Sequence, residues 1–242
     1  PEPDQPLNIP FYGELLFYFC EFIIMLFIIK RYNDKELLLS VEDLRQDKQD
    51  IIYALFIGLG LGILFPIIGT FGYFFPDTVL YELHELAIKQ MLEHGSKYSF
   101  FQYSLLIFCG TVLFSVLREI LFRGIIFKLF LRDMNVTFST IQVSIFFTMM
   151  YFTMQFNTLD VLTLLISSVV LCFVTYRTQS IIPAIVISIT NDIPLLTIIH
   201  TEAFKQDPNS LIVFNSEHIW IYLLALGTTI YFLKQLELKY TK

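Results

Sequence analysis

Ionisable side chains are sparse in this chain, and a few of them interrupt apolar runs. Residues 117–127 read LREILFRGIIF, which sets Arg118, Glu119 and Arg123 among leucines, isoleucines and phenylalanines. Charge at membrane depth is expensive, so such residues face a cavity, a partner or a water interface. Glu119 and Arg123 are four apart with Glu first, the favourable order for a helical ion pair. In a low-dielectric site this pair lets both charges persist, and Glu119 can then serve as a base; structurally, the same pair is a pinned salt bridge. A second polar group, Ser188, Asn191 and Asp192, interrupts the apolar residues 181–200. Ser188 as a nucleophile needs a nearby base, and Asp192, one turn on, is what its own helix offers. The structural alternative makes Asp192 the counter-charge of Arg118 or Arg123, fixing helix against helix.

The elements that carry these residues must be membrane helices. Of the 242 residues, 55% are hydrophobic and only 16% charged, against roughly a quarter charged in soluble domains. The 26 Phe and 13 Tyr suit lipid-facing and interfacial surfaces. A net charge of −6 without a basic tract argues against a nucleic-acid partner. Cys20, Cys109 and Cys172 stand alone in apolar runs with no CxxC, so buried free thiols are expected and neither zinc nor a disulfide framework. No metal or other cofactor is expected. No signal-peptide pattern is expected ahead of the first apolar run.

A membrane span needs roughly 20 mostly apolar residues. Candidate spans are 11–29, 51–75, 100–117 continuing into the charged segment, 136–156, 159–175, 181–200 and 218–233, the last followed by a lysine-bearing tail. Glu14 and Glu21 share a face of the first; they serve either as an interfacial and a bundle-facing residue or as an ion path. The glycines of GLGLG (residues 58–62) follow no strand and precede no lysine, so close helix packing is expected, with a kink at Pro66. Residues 76–99 read as an amphipathic interfacial helix. It contains His84-Glu85, but Ile88 stands where a zinc-binding HExxH motif needs its second histidine.

Seven spans alternate sides, and the basic residues test the arrangement. With residues 30–50 on the cytoplasmic side, 13 of the 16 Lys and Arg fall inside, and only Lys89, Lys97 and Lys205 fall outside. The positive-inside rule then gives an N-out, C-in topology. The expected fold is an all-α polytopic bundle: one integral-membrane domain over residues 1–242, with about seven spans and one interfacial helix.

Glu119, Arg123 and Gly124, with Phe122 before the arginine, resemble the first motif of the CAAX-protease and bacteriocin-processing (CPBP, or Abi) family of helical intramembrane proteins. That motif is Glu-Glu-x-x-x-Arg; Phe-x-x-x-His and His-x-x-x-Asn/Asp follow on later helices. The resemblance covers roughly residues 115–196. It implies a catalytic centre of the first Glu and the two His, which activate water for peptide cleavage. Ser180 to Pro183 reproduce the Ser-x-x-Pro approach to the third motif, which places its His at Ser188 and its Asn/Asp at Asp192. The second motif falls on Phe146 or Phe147, and its His position on Met150 or Tyr151. Arg118 stands at the leading Glu. No histidine lies between His94 and His200, and His200 is about 18 Å along a helix from Ser188.

The resemblance therefore implies a fold whose scaffold residues are kept and whose reactive ones are replaced. The leading expectation is a protein that has lost proteolysis and binds a membrane segment or peptide of a partner as a scaffold, regulator or immunity protein. Glu119, Arg123, Asn191 and Asp192 would form its polar core. Two alternatives stay open: an altered intramembrane endopeptidase using Glu119, Arg123, Ser188 and Asp192, and an ion- or proton-coupled transporter. The lipid bilayer is the expected surrounding, and the Phe, Ile and Lys usage points to a bacterial inner membrane.

Overall fold

The computed structural model describes residues 47–70, 100–152, 158–200 and 219–241, with some positions between 12 and 31. Glu14, Glu21, the expected interfacial helix with His84 and His94, residues 201–217, and the side chains of Pro66, Tyr151 and His200 lie outside the described residues. Every regular element among the described residues is helical.

Helix α1 (Lys48–Thr70) starts where the carboxylate of Asp47 accepts the Gln49 N–H at 3.1 Å, an N-cap contact. It packs most extensively against α7 (Ile182–His200) and then against α8 (Ile219–Tyr240). The glycines decide how closely. A Cβ at Gly58 would lie 2.7 Å from the Ile187 carbonyl oxygen of α7, and one at Gly60 would lie 3.0 Å from the Ala225 carbonyl oxygen of α8. GLGLG is thus a packing surface for two neighbours, as small residues between membrane helices are expected to be.

The charged segment belongs to a continuous helical rod over residues 100–133. It comprises α2 (Phe100–Phe108), a π-helical stretch (Cys109–Leu113), α3 (Phe114–Glu119), a second π-helical stretch (Ile120–Ile126) and α4 (Phe127–Asp133), with right-handed helical backbone at every junction. Extended backbone at Met134 ends the rod. Asn135 then caps α5 (Val136–Phe152), its side-chain oxygen accepting the Phe138 N–H at 2.9 Å. The tight connection lays α5 back along the rod, and Phe122 meets Phe147 edge-on at 5.1 Å. Helix α6 (Thr158–Thr178) packs on α5 and also touches α1, α7 and α8. Gln179, at φ 51°, turns the chain in the left-handed region, and the Ser180 hydroxyl caps α7 by accepting the Ile182 N–H.

Two apolar clusters result. One joins Ala54, Ile57 and Leu61 of α1 to Leu171, Val174, Ala184, Ile187 and Leu236. The other joins Phe122 and Phe127 of the rod to Val143, Phe147 and Cys172. Outside them the surface is apolar: Trp220, Leu223 and Leu224 are at least 60% exposed, while Glu119, Arg123 and Ser168 are completely buried. Val161–Thr178 is long and apolar enough to cross a membrane, and only 28% of it is buried within the bundle. Such a surface is suited to hydrocarbon rather than water.

The last helix runs further than the sequence suggests. The expected tail after residue 233 is helical through Tyr240 because it has partners at the start of α1. Lys239 Nζ lies 2.8 Å from both Asp47 and Asp50, and the Tyr240 hydroxyl donates to Asp50 at 2.6 Å. Arg177, at the end of α6, meets Glu237 at 3.5 Å. The ends of α6 and α8 and the start of α1 therefore share one face of the bundle.

Hydrogen bonds from Lys239 and then the Gln49 N–H hold Asp47 below the usual carboxylate range. Burial works against the Lys239 charge, but the hydrogen bonds to Asp47 and Asp50 outweigh it and raise its pKa. The Asp47 contribution is therefore present above its ordinary pKa of 3.8 and lost as pH falls through the lowered value. That of Lys239 is complete below 10.5 and lost as pH rises through the raised value. Thermal unfolding in detergent should thus be nearly flat between these limits, with an acid-side fall that Asp47→Asn reduces. The glycine packing makes a second prediction: Gly58→Ala should lose about 1–3 kcal/mol, whereas Gly227→Ala, with nothing within 4 Å of its Cβ, should not destabilise.

Candidate functional site

The π-helical stretch after Glu119 broadens the buried face of the rod, so that Glu119, Phe122, Arg123, Gly124, Ile125 and Phe127 are all buried. π-helical turns recur at functional sites, where they re-aim side chains. Here the rod turns its charged residues toward α5, α6 and α7.

Glu119 and Arg123 form an ion pair with no exposed side-chain surface, Arg123 Nη1 lying 3.2 Å from Glu119 Oε2. The pair is close but not aligned as a hydrogen bond, since neither atom has a hydrogen-bond partner. Arg123 is anchored on its far side by α6, where Nη2 donates to the Ser168 hydroxyl at 2.9 Å and to the Ser168 carbonyl at 3.3 Å. The Phe147 ring of α5 lies 4.7 Å from the Arg123 guanidinium and 5.5 Å from that of Arg118. Desolvated cations gain stability from such aromatic faces.

The other carboxylate oxygen is also engaged. Glu119 Oε1 accepts from Arg118 Nε at 3.2 Å and from the Ser188 hydroxyl of α7 at 3.2 Å. Arg118 Nη2 in turn donates to Ser188 Oγ, and lies 3.4 Å from the Ser115 hydroxyl. Arg118, Glu119 and Ser188 thus close a triangle that ties the rod to α7. Asn191 donates to Asp192 at 3.1 Å, and Asp192 is within electrostatic reach of both Arg118 and Glu119. Glu119 and Arg123 compensate each other's charge, which is what allows the pair to be completely buried.

The structure therefore brings Arg118, Glu119, Arg123 and Ser188 into direct contact, with Asn191 and Asp192 beside them. Of the second-motif positions, Phe147 is buried in this cluster and Phe146 faces outward, 50% exposed. Met150 is likewise on the outer side at 44% exposure, and the Tyr151 side chain is outside the described residues. The sequence reading missed Ser168, Ser115 and the double aromatic contact of Phe147. Ser168 did leave a signal, as half of a Ser-Ser pair inside an apolar span. Among the described residues, no group of three His, Cys, Asp or Glu converges as metal ligands would.

Comparison with known families bears on this cluster. Residues 100–193, which hold the whole of it, match the family model of the type II CAAX prenyl endopeptidase Rce1-like proteins. Over those residues the chain is similar to the CAAX-protease family. The match covers less than half of the chain, and neither a curated protein nor a solved structure matches it. The CAAX-protease family is membrane-embedded, in accord with the apolar exterior and the Val161–Thr178 span.

The geometry also predicts how the site responds to mutation. Removing one member of a buried pair leaves the other charge uncompensated, at a cost of about 3–5 kcal/mol. Arg123→Met and Glu119→Gln should each destabilise the CAAX-protease-like segment by that order. The double variant should lose clearly less than their sum in a double-mutant cycle of detergent unfolding.

Proposed function

We propose that this CAAX-protease-like membrane protein has lost proteolysis and acts by holding a membrane segment or peptide of a partner, as a scaffold, regulator or immunity protein. One observation carries the reading: Glu119 is occupied by the protein's own groups. A hydrolytic carboxylate must reach a water and take its proton. Glu119 instead accepts from Arg118 and Ser188 through one oxygen and faces Arg123 with the other. By the motif alignment, Arg118 stands at the leading Glu and Ser188 at the second His. The small Ser188 leaves room, and the Arg118 guanidinium fills it. The same replacements that remove the water-activating groups therefore also engage the one carboxylate retained.

The proposed setting is a bacterial inner membrane, with seven spans, N-out and C-in. Two features support that orientation: the 13 basic residues assigned to one side in the sequence, and the grouping of Asp47, Arg177 and Lys239 at one end of the bundle. A retained charged cluster in lipid is costly, and recognition of a partner gives it a use.

An altered hydrolase is the second reading, favoured by the 3.2 Å approach of the Ser188 hydroxyl to Glu119. It would make Ser188 the nucleophile and Glu119 its base. The two separate in one experiment. Purified protein is incubated with a prenylated peptide, and a tagged copy is recovered from mild detergent for mass spectrometry of co-purifying proteins. We expect no cleavage and a recurrent membrane partner that is lost with Asp192→Ala. Cleavage abolished by Glu119→Ala and by Ser188→Ala, yet insensitive to a metal chelator, would sink the proposal.

A further inference from the structure

Helix α7 carries a polar pair, Asn191 and Asp192, that the chain leaves short of partners. Among the described residues, the only side-chain hydrogen bond either makes is the one between them, from Asn191 Nδ2 to Asp192 Oδ1 at 3.1 Å. Asn191 Oδ1 is buried with no partner, and the second Asp192 oxygen accepts from no neighbouring helix. Arg118 is within electrostatic reach of Asp192 but forms no ion pair with it, its guanidinium being held by Glu119 and Ser188. Glu119 differs in this respect, since its charge is met directly by two arginines.

The pair stands at the margin of the bundle. Ile187 and Ser188, one turn earlier, are almost completely buried. Asn191 and Asp192 are half-buried, and Ile193 is 44% exposed. A helix lying beside the bundle can therefore reach Asp192. Asp192 lies ten residues beyond Ile182, about 15 Å at 1.5 Å per residue, near the middle of a hydrocarbon core of about 30 Å.

The unfilled atoms determine the chemistry of an occupant. Both are acceptors, so a donor is required. A hydroxyl or amide would fill one of them and leave the carboxylate uncompensated. An ammonium supplies three donors and a positive charge, and ionisable residues within membranes pair with their opposites.

We propose that Asp192, with Asn191 beside it, receives the ammonium of a lysine carried at mid-depth by the partner's membrane segment. The proposal rests on the partner-binding reading and names the partner's chemistry.

Its test uses the labelled full chain in phosphatidylcholine vesicles with synthetic polyleucine transmembrane peptides, association being read by energy transfer. One peptide carries a central lysine, one a lysine a turn from its end, one a central glutamate and one leucine throughout. The central-lysine peptide should associate about tenfold more tightly than the other three, the scale of a polar contact between membrane helices. Asp192→Asn, which keeps the side chain's size, should remove that preference, and Asp192→Glu should retain most of it. Equal association of the central-lysine and all-leucine peptides overturns the proposal but not the partner-binding reading, as does a lysine preference that survives Asp192→Asn. Association of no peptide also overturns it; the partner-binding reading is then decided by co-purification, which requires no lysine.

Discussion

A completely buried carboxylate between two guanidiniums is the constraint on which the rest of this bundle depends. Neither Glu119 nor Arg123 can be placed in an apolar interior alone; each needs the other, and both need polar groups from neighbouring helices. The neighbours supply them: Ser168 from α6, Ser188 from α7 and the Phe147 ring from α5. Because those groups come from three helices, satisfying one ion pair fixes how the rod sits in the bundle. The glycine surface of α1 works at the same level. It brings α7 close enough that Ile187, the residue before Ser188, is in contact with Gly58.

On the proposed reading, this arrangement lets a CAAX-protease-like scaffold persist without proteolysis. Glu119, Arg123 and their partners compensate one another within the fold, whatever the site does with a substrate. The reactive positions can therefore change, provided that the interior remains neutral and filled. Arg118 adds a positive charge, which Glu119 meets directly and Asp192 faces within electrostatic reach. Arg118 also adds volume, and Ser188 provides the space.

Much of the helical order was legible in the sequence, because length and apolarity determine where a membrane helix can lie. The glycine packing of residues 58–62 and the Glu119–Arg123 pair were legible too, since both follow from local spacing. What was not legible depends on groups distant in the chain. The contact of Arg118 with Ser188 joins residues 70 apart. The helical end of α8 is held by Asp47 and Asp50, roughly 190 residues earlier. The π-helical turns leave no trace in hydrophobic periodicity, because a run that is apolar on all sides has no face to count. For the same reason the sequence could not choose between Phe146 and Phe147; packing turns the second inward and the first toward lipid.

The central claim is that the protein's own guanidinium occupies the place where a protease would hold its water. An experimental map of the protein in lipid, at a resolution that shows ordered waters, tests this most directly. The account predicts the Arg118 guanidinium between Glu119 and Ser188, with no water hydrogen-bonded to the Glu119 carboxylate. Arg118 turned out of the site, with an ordered water held by Glu119 and Ser188, would contradict it.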